Sequence, residues 1–505
     1  MVEISKIIEQ NPWWRFGREF KYYDIIIKKY EGADVKITRK EVKLETSKIY
    51  AIHGMRQVGK TTEIKKKILK LIDDRVDPES ICYFSCESLA SRRELRKVLD
   101  FFLDKLVEHE RIYVFLDEIN FVKDWVSEIL QVANSDKFER VAILFTGSPF
   151  GIQEHTHELI GRNIEGNRYF LKPLSFRDFV LQDCLQFGSL DLTLDRVLEK
   201  ELGILSENLS STTINLEEPL EKIVPVFRRM LKFEGSLRYL FNIYLQTGGF
   251  PSVLNGYLSN TKAKELERVR PEFYERFIEL VMKDALKQGK SDKTMQQVVT
   301  AILKKFGSRY DFRGLTEEIE EPVSHPTIID YLRLMEDNFL IQVLYSYDFS
   351  KKSIRYRGMK KIYFMDPLIF HSFNSWLHGK PGYSYSKELI VDEERVSSLV
   401  EGIVCNHLAR VKEVPVIKPA DRFLWFYYDA RKELDFVYQR ENEEYLGIEV
   451  KYKPKVSFRD VATLNMPEEY LILSKREFEV NESGNIAIVP VYVFLCLLES
   501  SPKNL

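Results

Sequence analysis

One nine-residue run restricts the fold of this chain more than any other: GMRQVGKTT, from Gly54 to Thr62. It follows the apolar stretch Ile49–His53 and precedes a charged, helix-length segment. The spacing G-x-x-x-x-G-K-[ST] between a strand and a helix predicts a phosphate-cradling loop, not a simple glycine turn. Gly54 and Gly59 let successive backbone N–H groups curl round phosphate oxygens, and the amino end of the helix adds partial positive charge. The loop residues Gly54, Met55, Arg56, Gln57, Val58, Gly59, Lys60, Thr61 and Thr62 are therefore expected to hold ATP. Lys60 reaches the β and γ phosphates and Thr61 ligates Mg²⁺.

Such a loop needs an acidic partner at the end of a buried strand, and RIYVFLDEIN supplies Asp117 and Glu118 after five apolar residues. Phosphoryl transfer requires positioning and charge neutralisation more than covalent chemistry. Asp117 is expected to hold Mg²⁺ through water and Glu118 to polarise the attacking water. The next apolar run, ILFTGS, delivers Thr146 and Ser148 to the same edge, as γ-phosphate sensors or as plain strand-end caps.

The runs KIYAIHG, ICYFSC, RIYVFLDE and RVAILFTGS alternate with helix-length charged segments from about residue 42 to 180. This pattern predicts a parallel sheet with helices on both faces. The lead-in carries paired tryptophans in NPWW (Asn11–Trp14), read as packing residues. With 505 residues the chain exceeds one core, and about three domains are expected. A net charge of -2 excludes a globally basic nucleic-acid binder and leaves room only for a local basic patch. Cys82, Cys86, Cys184, Cys405 and Cys496 are scattered, and no secretory leader is evident, which predicts reduced thiols in a cytoplasmic protein. Cys82 and Cys86 lack a second ligand pair at zinc spacing, and His155 with His157 lack a third ligand. The apolar run Ile486–Leu498 is too short to span a bilayer and is read as a buried terminal strand, so no membrane association is expected.

The interval from about Gly188 to Glu217 reads as a linker or surface insertion, followed by a helical zone that the Gly-Gly-Phe-Pro of QTGGFPSVL must break. Three helix-like segments and then FLIQVLYSY and KKIYFMD, between about 290 and 366, have the order of a winged helix. Its strongest basic feature is KKSIRYRGMKK (Lys351–Lys361), six cations with Tyr356 and no acid. That run fits a wing lying along DNA phosphates, and fits a solvated lysine-rich turn equally well.

The series GMRQVGKTT, VFLDEINFVKDW, LFTGS, LIGRNIEGNRYFLKPLSFRDF and GGFPSVL resembles the prokaryotic and archaeal AAA-type ATPases of the MNS branch of the STAND group. The likeness covers roughly residues 5 to 455. It implies a Mg²⁺-dependent ATPase in which Arg56 lies inside the phosphate loop and Arg162 serves as sensor or arginine finger. FMDPLIF (Phe364–Phe370) departs from the Asp-Pro-Gly that the resemblance leads one to expect after the wing.

Near the carboxyl end, ELDFVYQ and YLGIEVKYK flank QRENEE. A hairpin symmetric about Asn442 places Asp435 opposite Glu449, with Lys451 on the same face. Two opposed carboxylates disfavour each other unless a cation lies between them. The alternative is a hairpin whose core face is Leu434, Phe436, Ile448 and Val450 and whose charges meet water. With Glu401 in an upstream helix, the spacing resembles the PD-(D/E)XK nuclease superfamily. That resemblance implies Glu401, Asp435 and Glu449 as ligands of Mg²⁺ or Mn²⁺ and Lys451 as the catalytic lysine. The expected fold is thus α/β, a parallel-sheet P-loop core of the AAA+/ASCE kind over 1–185. An insertion and helical lid would follow over 186–289, a winged helix over 290–370 and a restriction-endonuclease-like domain over 371–505. The expected function is ATP hydrolysis controlling the rear domains near DNA, with a protein partner or a second copy of the chain as other associates. A nucleotide-gated switch with a degenerate nuclease domain is the alternative, and an ATP-coupled nuclease a further one.

Overall fold

A computed structural model describes residues 3–148, 157–182, 196–319, 323–412, 420–464 and 466–505. The chain forms two compact units, residues Met1–Lys172 with Pro502–Leu505, and Pro173–Ser501.

In the first unit the four expected strands appear as β1 (Lys48–Gly54), β2 (Ile81–Ser85), β3 (Ile112–Asp117) and β4 (Val141–Gly147), joined by a fifth, β5 (Arg168–Leu171). All pairs are parallel, in the order β2-β3-β4-β1-β5. Near-continuous apolar runs are what a parallel strand covered on both faces requires, and every residue of β3 and β4 is buried. The helix Arg92–Asp104 shows the matching helical period, burying Leu95, Val98, Leu99 and Phe102. Because β4 lies between β1 and β3, the carboxyl ends of these strands bring Gly54, Asp117 and Gly147 to one edge of the sheet.

Both outer strands of this sheet are covered. An open edge leaves a row of unpaired backbone groups. On β2 the side chain of Asn11 acts as a substitute strand: its amide donates to Tyr83 O (2.8 Å) and its carbonyl accepts from Tyr83 N (2.7 Å). Gln10 accepts from Ser85 N, and the indoles of Trp13 and Trp14 both donate to Ile81 O. The paired tryptophans therefore pack, as expected, and also satisfy the sheet edge. On β5, Phe170 N donates to Lys503 O (2.8 Å) and Leu505 N to Phe170 O (2.9 Å).

The second unit begins with a helical zone. Part of the expected linker, Arg196–Ser210, is a helix, because its apolar residues repeat at helical spacing and bury Leu202, Leu205 and Leu209; residues 188–195 lie outside the described residues, as do Cys184 and His155. The Gly-Gly-Phe-Pro motif does break the helix: Glu234–Thr247 ends at Gly248 (φ +65°) and Pro251 opens the next. Gly248 admits the Asp366 carboxylate, which accepts from Gly249 N and Leu368 N at 2.8 Å each, while Gly249 lies against the Leu174 backbone. A Cβ on Gly248 would fall 1.8 Å from Asp366 Oδ1. Burial pushes the Asp366 carboxyl up to about 7. Asp-Pro at this point thus serves as helix cap and as anchor for the glycine pair.

Helices Asp292–Lys304, Phe312–Glu317 and His325–Asp337 follow, then β6 (Ile341–Tyr345), β7 (Tyr347–Asp348), β8 (Ser353–Ile354) and β9 (Lys360–Phe364), with β6 and β9 antiparallel. Beyond them lies a mixed sheet of β10 (Leu424–Tyr428), β11 (Glu433–Gln439), β12 (Tyr445–Lys451), β13 (Glu469–Ser474), β14 (Glu479–Val480) and β15 (Ile486–Pro490), in the order β10-β11-β12-β13-β15-β14. Strands β10 to β12 are antiparallel and β12, β13 and β15 parallel. Phe436 faces Ile448 and Val437 faces Gly447, the register that symmetry about Asn442 requires.

Two expectations change here. The run Ile486–Leu498 is a strand only to Pro490, which has no N–H to donate to a ladder; Val491–Leu497 after it is a buried helix. After Ser457 there is a single 3-10 turn, Phe458–Asp460. The basic run Lys351–Lys361 is not one exposed tip. Lys360 and Lys361 point inward from β9 and are buried, and Arg355 pairs with Asp348, leaving Lys351, Lys352 and Arg357 exposed. Among the described residues no helix is long and apolar enough to cross a membrane.

Replacing Asn11 by alanine leaves the Tyr83 N–H and C=O without their partner, at about 2 kcal/mol for a buried pair. Amide exchange in the β2 peptide should then quicken by on the order of thirtyfold; an unchanged rate would show that this edge does not depend on Asn11.

Candidate functional site

The phosphate loop takes the shape its sequence predicts. Gln57 and Gly59 have positive φ (64° and 104°), which turns consecutive backbone N–H groups into a concave cradle at the amino end of the helix Lys60–Asp73. Gly54 is held against β5, where a Cβ would lie 3.0 Å from Leu171 O.

Six side chains converge beside the loop. Lys60 Nζ is 2.9 Å from Glu118 Oε1 and donates to Gly54 O (2.9 Å) and Met55 O (3.3 Å). Thr61 Oγ1 donates to Asp117 Oδ2 (2.7 Å), which also accepts from Tyr83 OH (3.2 Å). The Thr146 hydroxyl donates to Asp117 Oδ1 and accepts from Glu118 N (3.1 Å). Glu118 itself sits in the left-handed region (φ 53°), so the chain turns sharply at the end of β3 and its carboxylate points to Lys60. A hydroxyl next to a carboxylate, with a lysine beside them, is the donor set that a Mg²⁺–nucleotide requires; Thr61 and Asp117 would hold the ion.

Ser148 N donates to Asn120 Oδ1 (3.2 Å), a contact that keeps the strand end beside the acidic turn. Arg56 lies over the Phe121 ring (5.7 Å) and 4.0 Å from Glu87. Arg162 is not brought to the loop; it is exposed and donates to the neighbouring Gly161 O. Tyr83 is absent from the sequence-based site. Its only signal is a hydroxyl-bearing residue late in the strand next to the acidic one. Cys82 and Cys86 are buried free thiols that burial pushes well up, with no role here.

The second unit also gathers charge. The hairpin does bring Asp435 and Glu449 together: Asp435 N donates to Glu449 Oε2 (3.2 Å) and Val450 N to Asp435 Oδ2 (3.0 Å). Both carboxylates are buried, at 7% and 5% exposure, so the solvated-face alternative is wrong. Lys451 Nζ pairs with Glu449 Oε1. Glu401, on the helix Glu393–Leu408, accepts from Tyr363 OH (2.6 Å).

The cation among them is Lys361 from β9. Its ammonium lies 2.7 Å from Glu401 Oε1, 2.9 Å from Asp435 Oδ1 and 3.0 Å from Glu433 Oε1. Burial alone would drive Lys361 neutral, but Asp435, Glu401 and Glu433 outweigh it and hold it charged. Burial raises Glu401 to about 7 and Glu449 to about 8, with Asp435 adding in both cases. Asp435 stays below the usual range because Lys361 and Lys451 overcome the effect of burial. Glu433, Lys361 and Tyr363 were not anticipated. Period two supplies the missing signal, since Glu433 shares a face with Asp435, and Lys361 with Tyr363.

Residues 46–180 match the family model described as an AAA domain, and residues 238–377 one described as a domain of unknown function (DUF8612). An uncharacterized protein of Methanocaldococcus jannaschii is 24% identical over 334 residues, 65% of this chain; the chain spans 62% of that relative's length. An uncharacterized protein of Haemophilus influenzae is 22% identical over 469 residues, 89% of this chain and 95% of the relative. Among solved structures, the Walker-type ATPase of Pyrococcus abyssi is 13% identical, covering 65% of this chain and 91% of that one with a TM-score of 0.38. The parallel five-stranded sheet and phosphate loop of the first unit fit a P-loop NTPase core.

Thr146→Val keeps the volume of the side chain and removes both hydroxyl contacts. ATP turnover should fall by roughly tenfold, the worth of one charge-assisted bond. Nucleotide affinity should change by less than about threefold, since Thr146 touches the acidic pair and not the phosphate loop. An unchanged turnover would remove Thr146 from the machinery.

Proposed function

We propose that this chain binds and hydrolyses ATP with Mg²⁺, and that its nucleotide state controls the second unit. The observation carrying this is the convergence of Lys60, Thr61, Asp117 and Glu118 at one edge of a parallel sheet, beside a phosphate cradle. In the proposed reaction Lys60 turns from Glu118 to the β and γ phosphates. Glu118, so released, orients the attacking water, and Thr146 holds the acidic turn in place. Thr61 and Asp117 would hold magnesium, which would supply charge neutralisation for the transferring group. Arg162, exposed after Leu159, is assigned as an arginine finger acting in a second copy of the chain.

Control of the second unit has a covalent basis. The chain leaves the first unit just after β5 and returns at Pro502, and residues 503–505 pair with Phe170 of that same strand. Leu171 of β5 abuts Gly54 of the phosphate loop. Both connections to the second unit are thus held by the strand next to the loop.

For the second unit, three helices followed by antiparallel β6 and β9 support a winged-helix reading, and Tyr310 extends the pair by bonding Lys360 in both directions. Helix Glu393–Leu408, the antiparallel β10–β12 and the parallel β13 support a PD-(D/E)XK-like reading. Exposed Lys351, Lys352 and Arg357 are the proposed DNA contacts. A degenerate nuclease domain docking a protein partner is the second reading, favoured by Lys361 among the acidic residues. The protein is proposed to act in the cytoplasm.

Lys60→Ala and Glu118→Gln should each lower phosphate release at least a hundredfold, with Glu118→Gln still binding ATP. Release at the wild-type rate in both variants would defeat the assignment.

A further inference from the structure

The rear acidic site contains its own cation. An ammonium has three donors, and those of Lys361 meet three carboxylates, Glu401, Asp435 and Glu433, at 2.7 to 3.0 Å. At 2% exposure the side chain has no other environment available. The acids are accordingly spaced for an ammonium. Among the described residues, a group with ligand atoms all within 4.8 Å of one another, as a metal ion needs, occurs at exposed Glu79 and Glu108 with half-buried His109 and not at Glu401, Asp435 and Glu449. Magnesium draws oxygens to about 2.1 Å and manganese slightly farther. Five of the six oxygens of Glu401, Asp435 and Glu449 already have a donor: Tyr363 OH and Lys361 on one, then Lys361, Val450 N, Lys451 and Asp435 N.

We propose that Lys361 is the resident cation of this site: its ammonium takes the place between Glu401 and Asp435 that a divalent ion would take. While β9 is seated, the site binds no divalent metal, and the ion cluster pins β9 to β11 and to the helix Glu393–Leu408. This rests on the PD-(D/E)XK-like reading only for the expectation that a metal belongs there; the cluster itself is independent of it.

Mn²⁺ titration of the full chain without nucleotide, followed by electron paramagnetic resonance, tests the proposal. Wild type and Asp435→Asn should bind the same number of ions. Lys361→Met should gain one ion per chain, lost again in Lys361→Met with Asp435→Asn. Binding in wild type that Asp435→Asn abolishes would overturn the proposal, and this comparison holds even if Lys361→Met does not fold. A folded Lys361→Met chain that gains no ion would overturn it too. Cleavage of linear and branched DNA by Lys361→Met, measured in parallel, addresses the nuclease-like reading separately: absence of cleavage with Mn²⁺ bound counts against that reading and leaves the resident cation standing.

Discussion

A charge taken out of water must be met by an opposite charge and by hydrogen bonds, or it costs several kcal/mol. Both candidate sites are organised by that requirement, each around one lysine. In the first unit Lys60, with 4% of its side chain exposed, is met by Glu118 and by two carbonyls of its own loop. In the second, Lys361 is met by three carboxylates. The two differ in what can replace the partner. The Lys60 partners line a loop whose backbone N–H groups suit phosphate, so a nucleotide can take over the lysine. Of the Lys361 partners Asp435 is buried and Glu401 and Glu433 are half-buried, and each already holds a further donor, from Val450, Tyr363 and Arg309 respectively.

The same requirement explains features of the sheets that have no chemistry of their own. The backbone groups of β2 are met by Gln10, Asn11, Trp13 and Trp14, and those of β5 by residues 503–505. Asp366 meets the amides of Gly249 and Leu368 where two helices change direction. Lys65, buried beside Asp24, lies 3.8 Å from the Tyr83 ring centroid and so braces the residue that touches Asp117.

What the sequence shows and hides follows from the range of each interaction. Strands β1 to β4 were legible because a doubly covered strand must be apolar throughout, and the phosphate loop because its glycines and lysine are local in sequence. The register of β11 and β12 was legible because the turn is short and alternation fixes the faces. β5 was not, since four residues, RYFL, carry too little pattern. Val491–Leu497 read as strand because a fully buried helix shows no polar face by which to recognise it. Lys361 was counted among the wing cations, and only the tertiary fold, which turns β9 inward seventy-four residues before Asp435, reveals its partner. Tyr83 became visible as a site residue only once the order of the strands was known.

Where a divalent ion binds distinguishes a resident ammonium from a metal site. Crystals of the full chain grown with a non-hydrolysable ATP analogue and Mn²⁺ give the answer by anomalous scattering. One manganese peak per chain, at Thr61 and the nucleotide phosphates, with the Lys361 ammonium still between Glu401 and Asp435, is the expected result. A peak bounded by Glu401, Asp435 and Glu449 with Lys361 displaced, or no peak at Thr61 beside bound nucleotide, would contradict it.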